Sequence, residues 1–293
     1  MPDTLGLKEE VEFDPGLLAR TGRALLPTLR YWMQTEVHVY SFSVSASILL
    51  SFFPFLIVML SLCQHVLKWR AAVDAIYFAL NDYFPDPVGD FIRRNLRATV
   101  ASRGPFQAVS ILLLLFTANG IFQPLEVALN RIWRCERNRT YLRNQLVSLG
   151  LIFACGGLVL ISTTLTALDK QFLTQMSGWA PRVAGFLGPA LFKAAAVPIS
   201  MLMLLLIYWL LPNCKVRVRD IVPAAIAVGL LLEFLKYVNV LLWPLLRNKL
   251  ALEYGPFVYS VSIILWGVVA SMVILAGAEW AARRAQRPSV NTP

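Results

Sequence analysis

A chain of 293 residues with 57% hydrophobic and only 15% charged residues departs from soluble domains, in which roughly a quarter of residues are charged. A mean hydropathy of +0.62 excludes an ordinary soluble enzyme, and uninterrupted apolar runs exclude a β-barrel, whose strands alternate over about 10 residues each. The net charge of +10 would otherwise suggest nucleic acid, but the basic residues flank apolar segments, so the reading is a membrane protein with no nucleic-acid partner.

The first 38 residues (1–38) form a cytoplasmic or interfacial segment. Within it GLLARTGRALLPTLRYWMQ is amphipathic, with Leu17, Leu18, Leu25, Leu29, Trp32 and Met33 set against Arg20, Arg23 and Arg30. It reads as a helix on the inner membrane surface, or as one packed on a loop. A signal peptide is not expected, because the first long apolar run begins only near Val39.

Six apolar segments follow, at about 39–67, 106–128, 146–168, 183–211, 221–246 and 257–280. Each is long enough to span a bilayer as a helix, which takes about 20 residues. They define an all-α, six-helix transmembrane domain (39–280) and a cytoplasmic tail (281–293). The stretch 68–106 is an external helical loop. Val73, Ile76, Tyr77, Leu80 and Phe84 make one stripe; Asp86 and Pro87 begin a second helix, with Val88, Phe91, Ile92, Leu96 and Val100 on its apolar face. These two helices would cap the bundle or touch headgroups.

Polar residues inside the spans carry the functional expectation. In the first span Ser43, Ser47 and Ser51 repeat every four residues before Pro54, for helix packing or a pathway. In the second, Asn119, Gln123, Glu126 and Asn130 lie at i, i+4, i+7 and i+11 beside Pro124, on one helical face. They would form a cavity wall, an interhelical seam or a helix end outside the lipid. The third has Gly156-Gly157 and Ser162 to Thr166; the fourth has Lys193, snorkelling outward or paired inside, and Pro198. The fifth has Glu233, Lys236, Tyr237 and Asn239 before Pro244. Charges in spans commonly mark ion or substrate pathways, and a structural polar clasp is the alternative. Glu279 with Arg283 reads as a solvated end pair. Pro54, Pro124, Pro198 and Pro244 are expected to bend their helices.

Arginine and lysine crowd alternate short loops: Arg131, Arg134, Arg137, Arg139 and Arg143; then Lys215, Arg217 and Arg219; then Arg283, Arg284 and Arg287. The positive-inside rule then places both termini in the cytoplasm. The external loop, with Arg93, Arg94 and Arg97, strains that orientation. Cys63, Cys135, Cys155 and Cys214 show no disulfide or metal spacing, so free thiols are expected. His38 and His65 assemble no metal site.

Several segments together resemble the YihY/BrkB family of bacterial inner-membrane proteins, once labelled ribonuclease BN. They are SASILLSFFPFL with Ser51 and Pro54; LEVALNRIW (Leu125 to Trp133); YWLLPN (Tyr208 to Asn213) followed by Arg219-Asp220; Tyr254-Gly255; Leu265-Trp266; and Gly277-Ala278-Glu279. The resemblance runs from about Tyr31 to Arg284. The chain departs from it at Pro223-Ala224-Ala225 and at Pro256 to Tyr259. The resemblance implies six transmembrane helices, an envelope role, and a transporter or virulence factor acting on a lipid or other amphiphile. The ribonuclease label is generally regarded as a misassignment.

The combined expectation is a transporter without cofactor, metal or enzymatic activity. It would move a lipid-like, amphiphilic or small solute through one polar cavity built from Asn119, Gln123, Glu126, Asn130, Glu233, Lys236, Tyr237 and Asn239. Glu126 and Glu233 would take protons or cationic groups, and Lys236 or Arg131 an anionic headgroup. Membrane lipids are the expected partners, with a homo-oligomer possible. The alternative is a non-transporting envelope scaffold; a lipid enzyme or ribonuclease is the least supported.

Overall fold

A computed structural model of the chain describes residues 26–83, 87–101, 105–136, 139–176 and 197–286. Among them every regular element is helical. Helix α1 (26–32) precedes α2 (Thr35–Ser61), which continues through a π-helical turn, Leu62–Val66. Then come α3 (Arg70–Tyr83), α4 (Pro87–Ala101), α5 (Pro105–Ile132), α6 (Tyr141–Met176), α7 (Val197–Leu210), α8 (Val218–Tyr254) and α9 (Val258–Gln286). Among the described residues four stretches are long and apolar enough to cross a membrane: Thr35–Val66, Leu142–Ile161, Val218–Tyr254 and Val258–Gln286. Helix α7 is apolar but shorter.

Helix α2 is the hub, packing on α5 on one side and α9 on the other; α8 packs on α9, and α6 on α5 and α3. The main core joins Val37 and Val44 of α2, Leu125 and Leu129 of α5, Leu204 and Tyr208 of α7, Val228 of α8, and Leu275 and Ala278 of α9. Close approach needs small residues. A methyl group on Gly267 of α9 would stand 2.9 Å from Ser45 Oγ, and one on Gly277 only 2.1 Å from Val228 Cγ2.

The serines of α2 take a different phase from the one expected. Ser41 and Ser45 are buried together with Ser51, while Ser43 is exposed and Ser47 half-buried. The run SFSVSAS puts serine on two faces, and the buried one is the face that Gly267 meets. Ser45 Oγ donates to the Ser41 carbonyl (2.7 Å) and Ser51 Oγ to that of Ser47 (2.8 Å), the i−4 back-bonding open to serine in a helix.

Helices α3 and α4 cap one end of the bundle. Ile76, Leu80, Ile92, Leu96 and Val100 bury against Met59, Leu60 and Cys63 of the first span and Leu160 of α6. Two of their arginines are engaged locally: Arg93 pairs with Asp90, and Arg97 lies 4.8 Å above the Tyr77 ring. Arg93 and Arg97 thus take part in contacts within the cap. Pro54, Pro124 and Pro244 lie inside helices that continue through them; Pro198 is at the start of the described part of α7. Lys193, Phe84 and Asp86, and the side chains of Val88, Phe91 and Ser162 to Thr166, fall outside the described residues.

Tyr208 is the largest fully buried side chain, and its hydroxyl donates to the Ile274 carbonyl of α9 at 2.7 Å. Tyr208→Phe removes that bond while the Ile274 carbonyl keeps its helical partner within α9, a loss of about 0.5–1.5 kcal/mol. The expected result is a lower melting temperature in detergent with an unchanged helical spectrum; an unchanged melting temperature would show that the bond contributes nothing.

Candidate functional site

The polar groups gather most densely at the end of the bundle where α5 stops and α8 begins. Helix α5 ends in a Schellman motif: the Cys135 amide donates to the Asn130 carbonyl (2.8 Å) and the Arg134 amide to that of Arg131 (3.2 Å). The residue at its turning point is usually glycine, because the backbone is left-handed there. Here it is Arg134, with φ at +54°, a conformation that costs a non-glycine residue roughly 1–2 kcal/mol.

That helix end is clamped to the segment between α7 and α8. The Asn213 amide donates to Asn130 Oδ1 (2.8 Å). The Arg139 guanidinium donates to the Leu210 and Pro212 carbonyls, both at 2.9 Å, satisfying acceptors that the end of α7 leaves without an intrahelical partner. Burial lowers the Arg139 pKa, and the nearby Glu126 carboxylate opposes that shift. Cys135 and Cys214 are joined as a disulfide, with Cα atoms 5.4 Å apart, which corrects the expectation of free thiols; Cys63 and Cys155 are free. The two cysteines are 79 positions apart, so local spacing carried no sign of their meeting.

A half-open cavity of about 300 Å³ lies beside this clamp, between α1, α2, α5 and α9. Arg131 pairs with Glu36 (2.5 Å), and Arg283 pairs with Glu279 (2.5 Å) while also donating to Thr28 of α1. Tyr31, Gln34, Tyr40, Arg134 and Gln286 complete the polar lining. The Glu279–Arg283 pair is thus a partly buried wall of a cavity and not the solvated end pair expected. Thr28, which Arg283 reaches, lines an apolar groove of about 480 Å³ together with Leu29 and Trp32 of α1, Ala227 and Leu231 of α8, and Val273 and Trp280 of α9. Arg284 stacks on Trp280 at 5.7 Å.

The expected intramembrane residues divide between two places. On α5, Glu126 is buried (5% exposed) with Oε2 lacking a hydrogen-bond partner, Asn130 holds the clamp, and Gln123 is exposed. Asn119 lies on the same helix with its side chain outside the described part. On α8, Lys236 Nζ and Glu233 Oε1 are 2.5 Å apart, Lys236 lies 5.4 Å from the Tyr237 ring centroid, and Asn239 Oδ1 is buried without a partner. Glu233 is 15 residues along α8 from Val218, roughly 22 Å at helical rise; Glu126 sits near the clamp that precedes that helix. Helix α8 packs chiefly on α9, and none of these side chains lines either cavity. Among the described residues, Asn130 of the α5 group takes part in the clamp, while Glu233 and Lys236 form an ion pair midway along α8. Arg134, Arg139, Asn213, Tyr31 and Arg283 carry the observed site, and the sequence reading had assigned the arginines among them to topology or to a solvated helix end.

Long apolar helices with buried small residues, outward-facing leucines such as Leu241 (78% exposed) and Leu245 (72%), and a charged helix end define a multi-pass α-helical membrane protein. The chain belongs to the family described as "Virulence factor BrkB", whose sequence profile matches residues 28–292. A UPF0761 membrane protein of Chromohalobacter salexigens is 26% identical over 235 residues, 80% of this chain and 56% of that protein. One of Aliivibrio fischeri is 24% identical over 242 residues, covering 79% and 73%. One of Actinobacillus pleuropneumoniae is 22% identical over 256 residues, covering 85% and 88%. The chain therefore spans little more than half of the Chromohalobacter relative. No solved structure matches it.

Proposed function

We propose that this protein moves an amphiphile, a phospholipid or similar molecule, across the bacterial inner membrane without changing it covalently. The observation that carries the reading is the pairing of a charged cavity lined by Arg283 with an apolar groove lined by Thr28, the two joined by the Arg283–Thr28 contact. Such a pair matches a molecule with a charged head and a hydrocarbon tail. The ion pair halfway along α8 supports it, because charge at membrane depth is costly and marks a pathway more often than a lipid-facing surface.

In this reading α2, α5, α6, α7, α8 and α9 supply the six spans, and Pro54, Pro124, Pro198 and Pro244 supply bends. The arginine-rich end faces the cytoplasm, as do both termini. There the Asn130–Asn213 and Arg139 hydrogen bonds hold the clamp independently of the Cys135–Cys214 bond.

The test is reconstitution into phosphatidylcholine vesicles carrying fluorescent phosphatidylglycerol, with a membrane-impermeant quencher added outside. Quenching is expected to proceed past the outer-leaflet share when the protein is present. Quenching that stops at the protein-free level, with insertion verified, overturns the proposal.

A further inference from the structure

The lipid reading leaves open what the charged cavity recognises. Its two carboxylates are each matched: Glu36 by Arg131 and Glu279 by Arg283. Arg134 is the third guanidinium in the lining, and among the described residues it makes no ion pair or side-chain hydrogen bond. The cavity thus carries one positive charge in excess, bordered by the Tyr31 and Tyr40 hydroxyls.

The backbone adds a second, independent observation. Arg134 occupies the left-handed turning point of the α5 cap at φ +54°, where glycine would sit without strain. An unfavourable residue held at such a point is a sign that its side chain has a use. The amide of Cys135, the next residue, is bonded to the Asn130 carbonyl, so the arginine is presented from a fixed base.

We infer that this cavity is a phosphate-binding site in which Arg134 supplies the unneutralised guanidinium. A guanidinium fork with nearby hydroxyl donors suits a tetrahedral oxyanion. The phosphate is either a lipid headgroup or a free phosphate. The inference rests on the lipid reading only for the first of these sources.

The test uses purified full-length protein and Arg134→Gly. Glycine relieves the backbone, so the variant should melt at or above the wild-type temperature in chloride, which separates loss of binding from loss of fold. Titration with inorganic phosphate at constant ionic strength, and separately with phosphatidylglycerol in mixed micelles, is followed by thermal shift. Phosphate stabilises proteins generally by exclusion from their surface, so the readout is the difference between wild type and variant. Wild type is expected to shift at a concentration about ten-fold or more below the variant, and Arg134→Lys to recover part of that difference. A difference confined to the lipid titration assigns a headgroup; one confined to inorganic phosphate assigns a free anion. Identical titrations of wild type and Arg134→Gly with both probes overturn the inference. An Arg134-dependent shift in a protein that fails the vesicle assay would instead remove the transport reading and leave the site standing.

Discussion

Gly277→Leu is expected to eliminate folded protein, and Gly277→Ala to lower its melting temperature markedly. A Cβ at this position would lie 2.1 Å from Val228 Cγ2 and 2.9 Å from the Tyr208 hydroxyl. Val228 is β-branched and held near one rotamer in a helix, and Tyr208 is pinned by its bond to Ile274, so neither can yield without moving α8 or α7 away from α9. Overpacking of this kind costs about 1–3 kcal/mol or more. It exceeds the gain of about 1 kcal/mol that alanine brings over glycine inside a helix, so the net sign is destabilising. Gly157 is the control: nothing lies within 4 Å of its virtual Cβ, so Gly157→Ala should be neutral or stabilising. A Gly277→Ala protein melting at the wild-type temperature would show that the three helices are not packed as described.

The second large effect is expected at the α8 ion pair. Lys236→Leu leaves the Glu233 carboxylate, 14% exposed, without its partner at mid-span, where an ionised group costs about 2.5–3.5 kcal/mol. Glu233→Leu leaves Lys236, 48% exposed on a longer side chain, which can reach for a polar layer. The lysine replacement should therefore reduce protein level more than the glutamate replacement. The double leucine variant should recover stability, because a pair removed whole takes its desolvation cost with it. Function then separates two roles. A double variant at normal abundance that no longer redistributes lipid places the pair in the mechanism, whereas one that retains full activity makes it a structural clasp.

The helices were legible in the sequence because their cause is local. Runs of about 20 apolar residues must become helices in lipid, and α3 and α4 announced themselves by apolar stripes that bury at Ile76, Leu80, Ile92 and Leu96. The site was legible only in fragments. The phase of the α2 serines depends on Gly267, more than two hundred residues away, and the period-two run offered both faces. The α5 stripe was visible as a polar face, but what Asn130 does is fixed by Asn213, 83 positions on. Glu233 and Lys236 meet because i and i+3 lie on one face. That they would share a cavity with α5 was an assumption about helix neighbours that no periodicity encodes. Arg134 escaped notice because a residue's φ is not written in its identity.

The Asn130–Asn213 bond and the two carbonyls gripped by Arg139 have a mechanical corollary. They rivet the foot of α5 to the α7–α8 elbow, so any rearrangement that admits a solute at this end must swing those parts as one block. The freedom left over belongs to α1, which the Arg283–Thr28 bond tethers among its contacts to α9, and to the far half of α8. Motion there would unzip a seam running sideways into the bilayer and leave the block intact.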